Sequence, residues 1–230
     1  MILSYRQLCD IVDSGFITHV LPENINGSSI DVRIGAEVLI ERFVGSPELK
    51  TISLKKREPL DVVRHDLVKE PLYLYPGECI LAHTIEMFNL PGDLSAMFKL
   101  KSSCGRIFLE HMNAGWCDAY WHGSALTMEL KNNTRQHVIK LEYGDAIGQM
   151  VFFPHKTVPE DMGYAQRGRY NKDKSVSGTK KSTITFGDPD EDAASQAIAE
   201  TMEKPLGSIS AGTLETAISS KLGDIGEQDD

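Results

Sequence analysis

The first hydrophobic pattern along the chain has the period of a helix. Leu8, Ile11 and Val12 fall on one face of residues 4–14, Ser4 stands where an N-cap is expected, and Gly15 follows as a stop signal. This pattern predicts a short amphipathic helix at the start of the chain.

From residue 30 to residue 154 the pattern changes to short β-type runs between turn signals. Alternating or short apolar runs occupy residues 30–34, 72–75, 79–84, 97–100, 125–130, 138–141 and 147–153. Turn residues occur at 76–77, 90–93, 131–133 and 143–145. Many short strands at this spacing are typical of a sandwich or barrel and not of alternating strands and helices. We therefore predict an all-β fold.

The composition changes again near residue 188. From there to residue 230 the chain has 11 Asp and Glu against two Lys, a balance of −9 that equals the net charge of the whole chain. Residues 1–187 therefore sum to zero. We predict one β domain over residues 1–187 and an acidic, mobile tail with some helical tendency over residues 188–230.

The composition also narrows the classes of function. A hydrophobic fraction of 41% and a charged fraction of 25% are ordinary for a soluble globular protein. No apolar run is long enough to span a bilayer, and no signal-peptide pattern is present, so we expect a cytoplasmic protein. The neutral body lacks the basic excess of a general nucleic-acid binder. The four cysteines form no CxxC pair, so neither a disulfide framework nor a zinc site is indicated.

Residues 101–129 are dense in polar side chains, broken by glycines and aromatics, with no helical period. The chain has no P-loop, no GxGxxG helix start and no zinc deaminase signature. A triad of Ser102, His111 and Asp118 is conceivable but lacks a nucleophile elbow. The stretch is best interpreted as the wall of a pocket built on short strands and turns.

Glu129 is the candidate general base of this stretch. By strand alternation it shares a face with Thr127 and Ala125, while Leu126, Met128 and Leu130 take the other face. If the face of Glu129 is buried, desolvation raises the pKa of its carboxyl and suits a base that works near neutrality. The alternative is a solvent-facing Glu on a half-exposed strand.

Ser102, Ser103 and Arg106 follow a predicted strand and surround a predicted turn at Gly105. Hydroxyls, turn amides and a guanidinium suit a phosphate group or a developing oxyanion. A polar surface turn is the alternative. The residues alone thus indicate an all-β pocket protein for a small anionic ligand.

Several segments, taken in order, resemble the dCTP deaminase branch of the dUTPase superfamily. They are NGSSIDVRIG at 26–35, YLYPGE at 73–78, TIE and LP within 84–91, SSCGR at 102–106, HMNAGWCDAYWHG at 111–123, TMELKN at 127–132 and IGQMVF at 147–152. The resemblance covers about residues 1–182, and its specificity comes from the order of the whole set.

The resemblance implies a homotrimer of dUTPase-like distorted β-barrels, each with a short N-terminal helix, and active sites between subunits. It implies hydrolysis of dCTP to dUTP and ammonia without zinc, with Mg²⁺ carried on the substrate phosphates. Glu129 would activate the water that attacks C4. Ser102 and Arg106 would position that water and stabilise the tetrahedral intermediate.

The resemblance also implies a set of substrate contacts. The backbone around Ala114 would contact the base, Asp118 would lie near the sugar, and residues 169–174 would fold over the phosphates as a lid. The implied substrate-binding residues are Lys101, Ser103, Asn113, Ala114, Gly115, Asp118, Gln149, Tyr164, Arg169, Tyr170, Lys172 and Lys174.

The chain departs from the family pattern at the nucleotide. Lys101 replaces an arginine, Asn113 replaces a threonine and Tyr120 replaces the glycine of a tight turn. One additional residue lies between Gly123 and Glu129, which predicts a bulge near residue 124.

These departures leave other functions open. Gly115 and Trp116 resemble bifunctional members, which also hydrolyse dUTP to dUMP and pyrophosphate. A dCMP or 5-modified cytosine nucleotide deaminase is a further alternative. A plain dUTPase is disfavoured because its glycine-rich C-terminal motif is missing. The alternative from another class is a non-catalytic nucleotide-binding regulator on the same fold.

Overall fold

The computed structural model describes residues 1–41, 49–54 and 57–180. Helical structure within them is short. It consists of α1 (Tyr5–Asp13), α2 (Ser102–Arg106), α3 (Tyr164–Arg167) and two 3-10 turns at Pro22–Asn24 and Glu160–Met162. No helix of the described residues is long and apolar enough to cross a membrane.

Helix α1 confirms the predicted N-terminal helix. The Ser4 backbone N–H and hydroxyl donate hydrogen bonds to Gln7 Oε1 at 3.0 and 2.9 Å, which closes the first turn. Leu8 is fully buried in the core. Gly15 follows the helix with a φ of 76°, a conformation that glycine adopts without steric cost.

The rest of the described chain is mostly β, as predicted. Its strands, numbered in chain order, are β1 (Ile17–Thr18), β2 (Ile30–Arg33), β3 (Glu37–Ile40), β4 (Val63–Asp66), β5 (Leu72–Leu74), β6 (Cys79–Asn89), β7 (Leu94–Leu100), β8 (Leu109–His111), β9 (Trp116–Cys117), β10 (His122–Asn132), β11 (Ile139–Leu141) and β12 (Ala146–Pro154).

The strands pair antiparallel in three sheets. The first has the order β4-β3-β6-β10-β8, with β1 also paired to β6; the second has the order β2-β12-β7-β9, and the third joins β11 to β5. Over the described residues these ladders do not close into a single barrel. One hydrophobic cluster joins all three sheets and includes Phe88 of β6, Phe152 of β12 and Leu74 of β5.

Strand β6 extends beyond the predicted run of residues 79–84. The prediction ended too early because a charged residue interrupts the apolar pattern of the strand. Glu86 is fully buried, and its two carboxylate oxygens accept hydrogen bonds from Arg33 Nε at 2.7 Å and from the Arg33 backbone N–H at 2.9 Å. A buried charge is tolerated when it is paired and hydrogen-bonded in this way. The strand therefore continues to Asn89.

The turn predicted at residues 131–133 is wrong. Lys131 and Asn132 belong to β10, and the turn begins after them. The fully buried Asn132 donates hydrogen bonds from Nδ2 to the carbonyls of Leu74 and His137 at 2.8 and 2.9 Å. Although asparagine is typical of turns, this side chain connects the loop after β10 to strand β5. The acidic tail at 188–230 lies outside the described residues.

Candidate active site

Glu129 lies in the middle of β10, opposite Leu81 of β6. Met128 and Leu130 on either side are fully buried, whereas 27% of the Glu129 side chain is exposed. The predicted alternation holds from Leu126 to Leu130, but Ala125, expected on the face of Glu129, is buried because the register shifts between Ala125 and Thr127. The Glu129 Oε2 atom is buried and has no hydrogen-bond partner among the described residues. The carboxylate is thus neither sealed in the core nor freely solvated.

The bulge predicted near residue 124 is present at the start of β10. His122 pairs with Asn89 and Ser124 with Phe88, so Gly123 is the additional residue, and it takes a φ of 60°. A second irregularity follows between Ala125 and Thr127. Together the two shifts set the register that leaves Glu129 on the partly exposed face.

Ser102, Ser103 and Arg106 stand on α2, a single helical turn, where the sequence pattern predicted a non-helical turn. The Gly105 N–H donates to the Lys101 carbonyl at 3.1 Å and closes it. The three side chains are exposed. Within the described part of the chain, no hydrogen bond or ion pair joins Ser102 or Arg106 to Glu129. These catalytic candidates therefore do not bond to Glu129 within one chain.

His111 is the side chain that does approach Glu129. It lies on β8 opposite Leu130, and its Nε2 atom is 3.5 Å from Glu129 Oε2. Its Nδ1 atom accepts a hydrogen bond from the Asn113 backbone N–H at 3.1 Å. His111 entered the sequence analysis only through the triad with Ser102 and Asp118. No hydrogen bond joins those three residues in the described structure.

A cavity of about 410 Å³ lies beside His111, between α2, β7 and β8, and Glu129 is not among its lining residues. Its lining residues are Phe98, Lys99, Leu100, Gly105, Phe108, Leu109, Glu110, His111, Asn113 and Asn133. The cavity joins apolar rings to amide, imidazole and charged groups, a mixture that suits a polar ring ligand.

Lys101 and Gln149, both implied substrate contacts, meet at a carboxylate that the sequence analysis did not single out. Asp31 of β2 binds Lys101 Nζ through Oδ2 and accepts hydrogen bonds at Oδ1 from Gln149 Nε2 at 3.2 Å and Asn26 Nδ2 at 2.8 Å. Burial raises the pKa of the Asp31 carboxyl, but the bonds from Lys101, Gln149 and Asn26 outweigh it and hold the pKa below its ordinary value.

The segment implied to contact the base follows β8. Asn113 takes a φ of 62°, and Ala114 is exposed. The Gly115 carbonyl accepts the Phe98 N–H at 2.8 Å, and a Cβ atom on Gly115 would lie only 2.7 Å from Phe98 Cβ. A glycine is therefore required where this segment crosses β7.

Asp118, implied to lie near the sugar, is exposed and already has one partner. The Trp116 indole N–H donates to Asp118 Oδ1 at 2.8 Å. The indole ring leans on Phe153 with 5.8 Å between ring centroids. Trp116 thus fixes the direction of the Asp118 carboxylate and leaves its second oxygen free of hydrogen bonds within the described structure.

The implied C-terminal contacts lie on a segment that packs along the first residues of β10. The Tyr170 carbonyl accepts hydrogen bonds from Trp121 Nε1 at 3.0 Å and Ser124 Oγ at 3.2 Å. The Lys172 N–H donates to the His122 carbonyl at 3.0 Å. Because strand residues advance about 3.3 Å each, this contact lies on the order of 20 Å along β10 from Glu129.

The cationic candidates on this segment differ in exposure. Lys172 and Lys174 are exposed, whereas Arg169 Nη1 is buried and has no hydrogen-bond partner among the described residues. Tyr164 packs against the core, and its hydroxyl accepts the Tyr170 N–H at 3.3 Å. Burial raises the pKa of the Tyr164 hydroxyl, which keeps it neutral.

No group of three or more His, Cys, Asp or Glu side chains within residues 1–41, 49–54 and 57–180 is arranged to hold a metal ion. The arrangement instead offers one isolated carboxylate, an adjacent imidazole and exposed hydroxyl and guanidinium groups. Such groups can move a proton and stabilise negative charge on a neutral ring.

Comparison with known proteins gives the family. Residues 2–155 match the model of the dCTP deaminase-like family. A protein of Methanospirillum hungatei named "dCTP deaminase, dUMP-forming" is 34% identical over 157 residues, which are 66% of this chain and 81% of that relative. A protein of the same name from Acidothermus cellulolyticus is 37% identical over 160 residues, 66% of this chain and 80% of the relative.

The fold has a solved counterpart. A crystal structure of 2'-deoxycytidine 5'-triphosphate deaminase from Agrobacterium tumefaciens superposes with a TM-score of 0.52 at 22% identity. The match covers 66% of this chain and 48% of that one, so the chain spans about half the length of that structure. The family model, the two relatives and the shared fold agree, and the chain belongs to the dCTP deaminase-like family.

Proposed function

We propose that this protein removes the 4-amino group of dCTP by hydrolysis and converts the resulting dUTP to dUMP and pyrophosphate. The observation that carries the proposal is Glu129: one carboxylate at the partly exposed face of a strand whose neighbouring residues are buried. Family membership supplies the substrate class, and the name of the relatives, "dCTP deaminase, dUMP-forming", supplies the product.

Glu129 acts as the base of the deamination. It takes a proton from a water molecule, whose oxygen then forms a bond to C4 of cytosine. It gives that proton to N3 of the ring, then takes the proton of the new C4 hydroxyl and gives it to the departing amino group, so that ammonia leaves, a carbonyl forms at C4 and N3 keeps its proton as in uracil. The chemistry needs one carboxylate that can both accept and donate a proton, and the position of Glu129 supports this role.

Ser102 and Arg106 stabilise the tetrahedral intermediate from a neighbouring copy of the chain. They make no hydrogen bond or ion pair with Glu129 within the described part of their own chain. Large apolar residues around α2 and β8 are exposed, among them Ile107, Met112 and Phe108, which is 66% exposed. These observations support a homotrimer of dUTPase-like β domains in which each site combines residues of two subunits.

The triphosphate is bound by cationic groups. Lys172 and Lys174 are exposed, so both can receive phosphate oxygens, and the buried Arg169 Nη1 has no hydrogen-bond partner among the described residues. Mg²⁺ accompanies the phosphates, because hard divalent cations prefer oxygen ligands. We assign no protein side chain to it.

The second step is hydrolysis of dUTP, and we assign it to Asp118. This carboxylate is exposed and oriented by Trp116, and it has one oxygen available for a water molecule. The step adds water across the bond between the α- and β-phosphates and releases pyrophosphate. The resemblance seen in the sequence favours dUTP as the final product, with the dUMP-forming reaction as the alternative. The names of the relatives favour the latter.

The test is to incubate the protein and Mg²⁺ with dCTP, dCMP or dUTP and to follow ammonia, pyrophosphate and nucleotides. We expect dCTP to give ammonia, pyrophosphate and dUMP. Ammonia with dUTP as the only nucleotide product would overturn the second step. Ammonia from dCMP alone would change the substrate, and tight binding without turnover would favour a regulator. A cytoplasmic location stays a prediction that cell fractionation would test.

A further inference from the structure

Two buried polar atoms of the described structure face each other without a hydrogen bond. They are His111 Nε2 and Glu129 Oε2, which are 3.5 Å apart. A buried polar atom without a partner costs free energy, and such atoms are uncommon in folded proteins. Because the two atoms without a partner lie next to each other, we infer that they become partners of each other.

The protonation of the imidazole follows from its other nitrogen. Nδ1 accepts the N–H of Asn113 at 3.1 Å, so in a neutral ring Nδ1 carries no proton. The one ring proton must then lie on Nε2, which is the atom that faces Glu129. In a doubly protonated ring, the Nδ1–H and the Asn113 N–H would be two donors that point at each other without an acceptor between them. In the neutral ring the backbone therefore selects the tautomer whose Nε2–H is a hydrogen-bond donor toward the carboxylate.

The ring is also held in place. Only 5% of the His111 side chain is exposed, the ring leans on Phe98 with 4.5 Å between centroids, and β8 pairs His111 with Leu130. Glu129 is less confined, with 27% of its side chain exposed. A shift of about 0.5 Å by the carboxylate would give an ordinary hydrogen bond of about 3.0 Å. Catalytic hydrogen bonds are often long before the substrate binds.

We propose that His111 is a positioning residue for Glu129, and this proposal rests on the proposed function. The Nε2–H of His111 binds Oε2 and fixes the plane of the carboxylate. Oε1 is then the oxygen that takes the proton from water and returns it. His111 itself transfers no proton.

A matched pair of substitutions separates positioning from packing. Glutamine and methionine are both unbranched and of similar length, but only glutamine offers an N–H near the place of Nε2. We expect His111→Gln to keep kcat for dCTP within a few-fold of the native value. We expect His111→Met to lower kcat about 10- to 100-fold, the usual loss when an orienting partner is removed, with KM little changed. Equal values of kcat for the two variants would overturn the proposal.

A second measurement does not depend on activity. The measurement uses long-range ¹H–¹⁵N spectra of the unliganded protein, which contains seven histidines. The signal of His111 is identified as the one that is lost in His111→Gln. We expect the Nε2–H tautomer, and we expect its proton signal to move in Glu129→Ala and to stay in Glu110→Ala, a control at the exposed middle residue of β8. An Nδ1–H tautomer, or a signal that ignores Glu129→Ala, would refute positioning even in an active enzyme. An inactive protein with the expected spectrum would leave the pair intact and refute only the proposed function.

Discussion

The ammonium group of Lys101 is bound to the carboxylate of Asp31 in its own chain. Lys101 stands where the family resemblance implies a phosphate-binding guanidinium, but here its charge is engaged by a partly buried carboxylate. A lysine ammonium is a point charge without the two-pronged geometry of arginine. Lys101 therefore stabilises the joint between β2 and β7 in the unliganded chain.

Removing this charge should cost stability. We expect Lys101→Met to lower the free energy of unfolding by about 1–3 kcal/mol, because Asp31 keeps its charge but loses its cation. Urea denaturation at neutral pH measures the change. Lys99→Met, an exposed lysine two residues earlier, should have little effect. In the double variant with Asp31→Asn the two losses should not add; full additivity would contradict the pairing.

His83 should make stability depend on pH. Glu37 N–H donates to its Nε2 at 3.3 Å and its Nδ1 lies 2.9 Å from the Thr84 carbonyl, so the ring is held neutral. Burial lowers the pKa of His83 below its ordinary 6.5. The unfolded chain then binds the proton more tightly, so this stability is present above about pH 6.5 and is lost as the pH falls below it.

We expect His83→Gln to flatten the fall in unfolding free energy between about pH 7.5 and pH 5.5. The exposed His137→Gln serves as the control and should retain the native slope. Urea titrations at the two pH values decide the matter. An unchanged slope in His83→Gln would show that another group governs it.

The ring of Tyr120 leaves no room for a side chain at Gly92 or Gly163. The ring lies so close that a Cβ atom on Gly163 would be 2.4 Å from Tyr120 Cδ2, and one on Gly92 would be 2.2 Å from the hydroxyl. We expect Gly163→Ala to lower the unfolding free energy by about 1–3 kcal/mol. Gly27→Ala, which meets no atom within 4 Å, should not. In a Tyr120→Ala background most of the Gly163→Ala cost should disappear; if it persists, the ring is not the cause.

We expect the segment at residues 170–176 to contribute to substrate binding only while it is attached to β10. Val176 is buried, and the Ala125 N–H donates to the Asp173 carbonyl at 2.7 Å. We expect Val176→Asp to detach the segment, to speed proteolysis there and to raise KM for dCTP more than it lowers kcat. Thr179→Asp, at an exposed position, is the control. A native KM together with faster proteolysis would remove this segment from substrate binding.

Much of the fold could be predicted because its signals are local. Ser4 and Gly15 bound the helix α1, and turn residues bound most strands. The bulge at Gly123 followed from counting residues between that glycine and Glu129. The extension of β6 through Glu86 could not be predicted, since it depends on Arg33, 53 residues away in the chain.

The candidate site was predicted less completely for the same reason. Glu129 could be found from its place in an apolar strand, and its face was confirmed. His111 and Asp31 were missed, because each matters only through a partner that folding brings near it. That α2 is a helical turn also escaped prediction, since five residues carry too little periodicity to identify a helix.

The most direct test of the account compares Glu129→Gln with Glu23→Gln, an exposed carboxylate in the 3-10 turn at Pro22–Asn24 that does not line the cavity. Ammonia release from dCTP is measured for both, with circular dichroism and thermal unfolding to show that each is folded. We predict that Glu129→Gln lowers ammonia release by about 10²- to 10⁴-fold, while Glu23→Gln stays near the native rate. A folded Glu129→Gln protein that releases ammonia at the native rate would contradict the assignment of Glu129 as the base.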